Sequence, residues 1–446
     1  MLDERFGLEK HHTTARTEVV AGVTTFLTMA YIIFVNPNIL GDAGMDKRAL
    51  IAVTCIVSAV ATIATGIFGK APIAMAPGMG LNAFFAYTLV QGQGVSWQTA
   101  LGAVFLSGLF FLLLTLVGLR KRLVEAIPPG LIAAIAVGIG LFIAFIGLNN
   151  LGLILRDEKT LFALGDVTKA TVWIGLLGLA VMVVLGLLGV RGSLLIGIVV
   201  ATVAAALFGY VDRPAAWLSL DWPIGAVALR LDIVGALRIS LWGSIFTLMF
   251  IDMFDSIGTL VACSEKAGLR DESGQIRGLD RLLGIDALAT MFGALLGTST
   301  TTAYVESAAG IAQGGRTGLT AIVTGALFLL TLFFVPLIAV VPGYATAPAL
   351  IVVGYFMMEE VRRIEFRRVD ELIPSLIIVV MIAVSYQIST GLALGFVSFA
   401  AIKIVKGRMR EIRPAMWMIA GLSLVFLAIR WLPAIQGLFG SGARAA

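Results

Sequence analysis

The stretch GTSTTTAYVESAAG, Gly297 to Gly310, joins a threonine run to a short run of small residues and sets an acid, Glu306, at the junction. Apolar segments flank it, and no Lys or Arg lies within nine positions of Glu306. A second stretch, IAMAPGMGLNAFFAY, Ile73 to Tyr87, has Pro77, Gly78 and Gly80 ahead of a short apolar run. Each predicts extended backbone followed by a half-helix: β-branched residues favour the extended form, and Pro and Gly break helices. Unwound backbone at membrane depth persists only where it is buried or lines a cavity. Matching interruptions in two halves of a chain point to a transporter's binding site. The plainer reading is a pair of helix kinks with small residues for close packing.

Composition sets the solvent. The 446 residues are 59% hydrophobic and 13% charged, with a mean hydropathy of +1.00. Soluble domains carry about a quarter charged residues, and apolar runs long enough for a bilayer recur throughout. These features exclude a soluble protein. The charged N-terminus, MLDERFGLEKHHTTARTEVV, lacks the apolar core of a cleavable signal and is expected to remain. Net charge is +5, with basic residues clustered in loops, a pattern of membrane orientation rather than nucleic-acid binding. Cys55 and Cys263 fall in apolar segments and read as packed thiols. His11 and His12 lie in the tail, which leaves no imidazole within the spans.

Hydropathy and breakers predict an all-α polytopic protein of fourteen spans. The first seven are near 17–40, 48–69, 73–90, 97–119, 128–148, 169–189 and 192–211. The second seven are near 239–263, 279–296, 298–313, 317–341, 345–360, 372–387 and 389–406. The stretch 414–432, with internal Arg430, reads as a possible extra membrane helix. With the N-terminus cytoplasmic, Arg120, Lys121, Arg122, Lys266, Arg270, Arg277 and Arg281 fall inside. So do Arg362, Arg363, Arg367, Arg368, Lys403, Lys406, Arg408 and Arg410, while Lys47 and Arg48 fall on the wrong side.

Two sevens of opposite orientation predict an inverted repeat, with short extended strands ahead of half-helices in spans 3 and 10. At an offset of 224, FLTMAYII (Phe26–Ile33) lies over FIDMFDSI (Phe250–Ile257), and Asn82 lies over Glu306.

Three acids, Asp252, Asp255 and Glu306, stand well inside apolar spans. An ionisable group at mid-bilayer costs roughly 3 kcal/mol or more and reads as functional by default. Burial disfavours the charged form of a carboxylate in general, which suits a group that takes up and releases protons. Asp252 and Asp255 are three apart, on neighbouring parts of one helix face; Asp252 could instead be a structural acid bonded to hydroxyls. Asp286 and Glu125 fall near span ends, where a solvated role is expected. Two half-helix N-termini near mid-membrane would add NH groups and positive dipole ends. A flat ligand with several donors and acceptors suits such a site, with Tyr31, Phe84, Phe85, Phe254 and Tyr304 available for stacking.

At these residues the chain resembles a known family. PGMGLNAFFAY (Pro77–Tyr87), FIDMFDSIGTLVA (Phe250–Ala262) and TTAYVESAAGIAQGGRTGLTA (Thr301–Ala321) look like signatures of azaguanine-type purine permeases. These belong to the wider nucleobase–cation symporter group of xanthine and uracil permeases. The opening TEVVAGVTTFLTMAYIIFVNPNIL (Thr17–Leu40) fits as well. The resemblance implies a core domain of spans 1–4 and 8–11 (17–119 and 239–341) and a gate domain of spans 5–7 and 12–14 (120–211 and 345–406). It implies proton-coupled import of adenine, guanine or hypoxanthine, with the core moving against the gate. Carried over by motif, Asp255 and Glu306 contact the base, Gly80 and Asn82 complete the site, and the backbone of Tyr304, Val305 and Ser307 contacts the ligand. Tyr31 joins the base-site candidates; Glu306, Asp255 and Asp252 are the candidates for the proton. Thr259 stands where uracil-type relatives carry a histidine, in keeping with a different base preference. A homodimer through the gate is implied too.

No cofactor or metal is expected beyond the coupling proton, and the expected location is the bacterial inner membrane. An anion transporter of the same architecture is the main rival, although buried carboxylates suit an anion poorly. An intramembrane enzyme lacks a nucleophile–base constellation. A scaffold or receptor with a vestigial site is the third.

Overall fold

The computed structural model describes residues 6–118, 126–157, 161–211, 213–214, 216–269, 276–385 and 387–431. Arg120, Lys121, Arg122, Glu125 and Arg270 lie outside the described residues. Every predicted span has a helical counterpart. Span 1 is α1 (Ala15–Met29) and α2 (Ile32–Gly41), broken at Ala30 and Tyr31. Span 2 is α3 (Lys47–Ala64), which ends in a wider turn through Gly69. Span 3 is strand β1 (Met75–Pro77) followed by α4 (Met79–Ala83), which continues as a wider helix to Gly92. Spans 4 to 7 are α5 (Trp97–Leu116), α6 (Pro129–Asn150), α7 (Ala170–Leu187) and α8 (Ser193–Leu207). A hairpin, β2 (Ile154–Asp157) and β3 (Leu161–Leu164), joins α6 to α7.

The second half repeats this plan. It runs α9 (Trp242–Lys266), α10 (Leu279–Leu296), strand β4 (Thr301–Ala303), α11 (Ser307–Ala312) and α12 (Gly318–Thr331). It continues with α13 (Gly343–Met358), α14 (Val369–Ser385) and α15 (Ile388–Val405). The predicted C-terminal segment is helix α16 (Pro414–Trp431), packed on α15 and α9. Among the described residues, eight helices are long and apolar enough to cross a membrane. This is an all-α, inverted-repeat membrane fold. The count of fourteen crossings remains the sequence expectation.

The repeat is visible in hydrogen bonds. Strands β1 and β4 pair antiparallel, Ala76 opposite Thr302, and the ladder extends through Tyr304 N to Ala74 O (2.9 Å) and Gly78 N to Thr300 O (3.0 Å). On the outer side of each strand a threonine hydroxyl closes the first residue's open backbone groups. Thr62 Oγ1 accepts from Met75 N (2.9 Å) and donates to Met75 O (3.0 Å). Thr290 Oγ1 accepts from Thr301 N (3.2 Å) and donates to Thr301 O (3.1 Å). Buried backbone polar groups need such partners, and both halves supply them alike. Met75 is therefore equivalent to Thr301, an offset of 226 rather than 224. This corrects the sequence pairing: Glu306 matches Gly80, and Asn82 matches Ala308.

Helix α12 packs on α1 and α3, and α10 on α5; α6 packs on α13 and α14, and α7 on α8. Small residues permit the closest approaches, as expected where lipid offers no hydrophobic drive between helices. A Cβ on Gly140 of α6 would lie 2.6 Å from Gly354 O, and one on Gly354 would lie 2.5 Å from Gly140 O. Helix α12 begins on a buried acid: Glu18 of α1 accepts from Arg316 N (2.9 Å), Thr320 N (3.2 Å) and Thr320 Oγ1 (2.6 Å). A carboxylate there satisfies orphan NH groups and complements the helix dipole. At the end of α15, Lys403 pairs with Asp370 (2.7 Å) and Glu411 (2.6 Å). Lys403 holds the Glu411 carboxyl below the usual glutamate range. Both cysteines are buried and free, as expected.

Candidate substrate-binding site

The β1–β4 crossing brings span 1 against the start of the second half-helix. Tyr31, at the break between α1 and α2, is fully buried and donates a 2.5 Å hydrogen bond to Glu306 Oε1. Glu306 is the residue that caps α11, where β4 has turned into helix. Tyr304 fixes the other side of the turn, donating 2.5 Å to Pro77 O, and Ser307 Oγ accepts from Ala74 N at 3.0 Å. Both bonds tie the start of the second half-helix to the first strand and its approach.

Asp255 comes from the middle of α9, 13 residues after Trp242 and 11 before Lys266. It interacts electrostatically with Glu306, Tyr31 and Tyr304. Asp255 is exposed half-way along α9, so it borders an opening in the fold. Val305 is 59% exposed, and Glu306, partly buried, interacts with Asp255 across the opening. Below Asp255, Gly258, Ala262 and Glu265 are exposed along one face of α9, towards Lys266. The half of α9 above it, from Thr247 to Met253, is buried. Phe254, half-buried, flanks Asp255 and rests on Phe250 (centroids 4.6 Å), which in turn meets Phe396 of α15 edge-on. Phe84 and Phe85 are fully buried.

Asn82 and Gly80 are placed differently. Asn82 is fully buried, donates to Asn36 Oδ1 (2.7 Å) and accepts from the Ser299 hydroxyl. Asn36 donates in turn to Thr54 (2.7 Å) and Thr298 (3.2 Å). This network locks spans 1, 2, 3 and 10 together behind the opening. Gly80 marks a close approach to the helix opposite: a Cβ there would stand 2.7 Å from Ile139 Cγ2 of α6. The structure brings Tyr31, Asp255, Tyr304 and Glu306 together, and holds Asn82 in a hydrogen-bond network with Asn36 and Ser299.

Asp286 corrects the sequence reading. It was expected at a solvated span end and is fully buried on α10. Span-end logic failed because Asp286 lies on the inward face of α10 with Leu282, Leu283 and Ala287, while Asp280 and Arg281 at the helix start are exposed, so depth along the helix did not measure exposure. The usable signal was the i, i+4 pattern Asp286–Thr290, mirrored by Ser58–Thr62. Asp252 is also fully buried, and its Oδ2 lies 2.9 Å from Thr290 Oγ1, which shares its single proton between Asp252 and Thr301 O. Asn36, Thr54, Thr298 and Ser299 escaped attention because single hydroxyls and amides look like packing.

Paired strands at the start of two half-helices, with acids facing an internal opening, define a polytopic membrane carrier. The permease family's model matches residues 16–394. The adenine permease AdeP of Escherichia coli strain K12 is 43% identical over 425 residues, 95% of each chain. The guanine/hypoxanthine permease PbuO of Bacillus subtilis strain 168 is 39% identical over 431 residues, 95% of this chain and 100% of that one. The solved transmembrane domain of a cyanobacterium bicarbonate transporter, BicA, superposes with a TM-score of 0.60, covering 92% of this chain and 96% of that chain. At 16% identity that likeness concerns the fold alone. The chain belongs to the permease family that includes the xanthine and uracil permeases, as its signatures implied. It is a multi-pass membrane permease and not an enzyme.

Proposed function

We propose that this permease imports purine bases together with protons, by alternating access, across the bacterial inner membrane with its N-terminus in the cytoplasm. The observation that carries the proposal is the meeting of Tyr31, Asp255, Tyr304 and Glu306 at the opening beside the strand crossing. Relatives named for adenine and for guanine/hypoxanthine transport support the substrate class. Asp255 and Glu306 accept hydrogen bonds from ring and exocyclic NH groups of the base. The exposed backbone around Val305 offers NH and carbonyl groups, and Phe254 or Tyr304 flanks the ring. Asn82, Gly80 and Ser307 hold the two half-helices in register for that contact.

Two carboxylates at mid-membrane cannot change sides cheaply while charged. A proton taken up with the base offsets that cost, so loading and translocation are coupled. Spans 1–4 and 8–11 move as the core against a gate of spans 5–7 and 12–14, the gate also serving as the homodimer contact. The opening runs towards the Lys266 end of α9, which the basic loops place in the cytoplasm. On the opposite side Asn38 of the core donates 2.8 Å to Thr346 of the gate. In this reading the arrangement is inward-facing.

The alternative is carriage of another small anion or nucleobase-like solute on this fold, as the bicarbonate transporter likeness suggests. Acids on the wall of the opening repel an anion, which favours the purine reading. Uptake of radiolabelled adenine, guanine and hypoxanthine by cells expressing the protein, with and without a proton uncoupler, tests it. Saturable uptake abolished by the uncoupler is expected. Uptake of none of the three bases sinks the substrate class, and uncoupler-insensitive accumulation sinks the coupling.

A further inference from the structure

The base site uses Asp255 and Glu306 and leaves a second pair of acids, Asp252 on α9 and Asp286 on α10, without a contact to the base. Both are fully buried. Thr290, one turn along α10 from Asp286, lies 2.9 Å from Asp252 Oδ2, which brings Asp252 to the stretch of α10 that carries Asp286, and the two acids interact electrostatically with each other and with Asp255. Glu306, Tyr31 and Tyr304 interact with Asp255. Helix α5, packed on both α9 and α10, has no charged residue from Trp97 to Leu116. The Lys and Arg side chains of α3, α9, α10 and α15 lie at helix ends.

The pair is also short of hydrogen bonds. Asp252 Oδ2 has Thr290 as donor, but Asp252 Oδ1, both oxygens of Asp286 and Ser256 Oγ have no hydrogen-bond partner. The fully buried Ser256 hydroxyl and the Ala303 NH lie near enough to Asp286 to act on it, without a hydrogen bond to it. Buried polar atoms left open in this way call for a ligand.

We propose that Asp252 and Asp286 form a second site, behind the base site, that holds the coupling proton between two carboxylates. This rests on the proton-coupled reading above and deepens it. Two ionised carboxylates side by side repel, and no cation here offsets them. One proton turns an open oxygen into a donor for the other carboxyl and removes a charge from the membrane interior. A metal ion fits less well, because hard cations gather roughly six oxygens. Thr290 is already engaged with Asp252 and with both backbone groups of Thr301, which leaves three carboxylate oxygens and one hydroxyl.

The repeat isolates the feature. In the first half Ser58 and Thr62 stand where Asp286 and Thr290 stand in the second. Pro77, which has no NH, stands where Ala303 offers one. The fold needs only the threonine clip, so the acid and the NH facing it serve something else. The proton's route is short: Asp255, three residues from Asp252 and accessible from the opening, takes it from water and passes it inward. The step is proton transfer alone, with the same H⁺ released on unloading and no bond of the base changed. Ala303 leads straight into Tyr304 to Ser307, so occupancy of the pair is felt at the base site.

The test uses the purified full-length protein in sealed proteoliposomes with an alkaline interior and radiolabelled adenine and hypoxanthine in parallel. At one proton per base, a one-unit pH gradient drives about tenfold accumulation by the unaltered protein. Asp286→Asn is expected to bind the base within about threefold of the parent affinity and to lose that accumulation; Asp286→Glu is expected to regain part of it. No accumulation by the parent protein removes the proton-coupled reading itself. Accumulation by both parent and Asp286→Asn overturns the pair alone, as does loss of base binding in an Asp286→Asn protein of unchanged thermal stability. Accumulation driven by sodium and dependent on Asp286 overturns the proton assignment. Infrared spectroscopy gives a readout free of transport: a protonated-carboxyl band present in the parent and missing from Asp252→Asn supports the pair, and its absence from the parent overturns it.

Discussion

The Tyr31 hydroxyl and the Glu306 carboxylate, 275 residues apart in sequence, meet in a 2.5 Å hydrogen bond at the strand crossing. Tyr31 sits at the break in span 1 and Glu306 at the cap of the second half-helix, so the bond joins the two repeats at the opening. It holds one carboxylate oxygen still and leaves the other for a ligand.

Tyr31→Phe removes the donor while keeping the ring. A hydrogen bond to a charged group contributes about 1.5–3 kcal/mol, so base affinity should fall roughly tenfold or more. Calorimetric titration of the purified variant with adenine checks this, and an unchanged Kd would show that the base does not rely on an oriented Glu306.

The twin threonine clips give a paired prediction. Thr62→Val and Thr290→Val each leave a strand NH and C=O unpartnered, at a cost of about 1–3 kcal/mol. Both should lower Tm in detergent by similar amounts. Only Thr290→Val should also move the pH dependence of uptake, because only Thr290 donates to Asp252. Equal pH profiles for the two variants would count against a proton role for Asp252.

Thr346→Val removes the acceptor for Asn38 on the side opposite the opening. Hydrogen exchange at the outer ends of α2 and α13 should quicken, while the Lys266 end of α9 should become more protected. Unchanged exchange at both ends would mean that this contact does not hold the outer side shut.

Much of the fold was legible because hydropathy and helix breakers report directly on what a bilayer demands. The interruptions at Pro77–Gly80 and Thr300–Thr302 became paired strands, since extended backbone at that depth must find hydrogen bonds. The repeat's register was misread by two residues: at 224, similarity in span 1 dominated, while the strand clips set 226. The acids of the candidate site are legible in the sequence, whereas the hydrogen bonds around them are not. Tyr31 reads as a stacking ring, and the structure adds a bond from its hydroxyl to Glu306. Asn82 reads as a base contact, and the structure adds a network with Asn36 and Ser299. Asp286 was missed because sequence gives depth along a helix and not which face meets a neighbour.

The cluster at the end of α15 predicts a pH effect on stability away from the site. Lys403 holds Glu411 below its ordinary range, so the pairing is present above the unfolded glutamate value, about 4.3. It is lost as pH falls through the lower folded value. Thermal melts in detergent should therefore lose part of their Tm below about pH 4, and Glu411→Gln should show a smaller acid-dependent loss. Identical acid profiles would mean that the pair contributes nothing measurable.

The most direct test of the central claim is purine accumulation driven by a pH gradient in proteoliposomes, comparing the parent protein with Glu306→Gln. The account predicts that the parent accumulates base with the gradient and that Glu306→Gln loses gradient-driven accumulation. Accumulation by Glu306→Gln equal to that of the parent, with the same pH dependence, would contradict it.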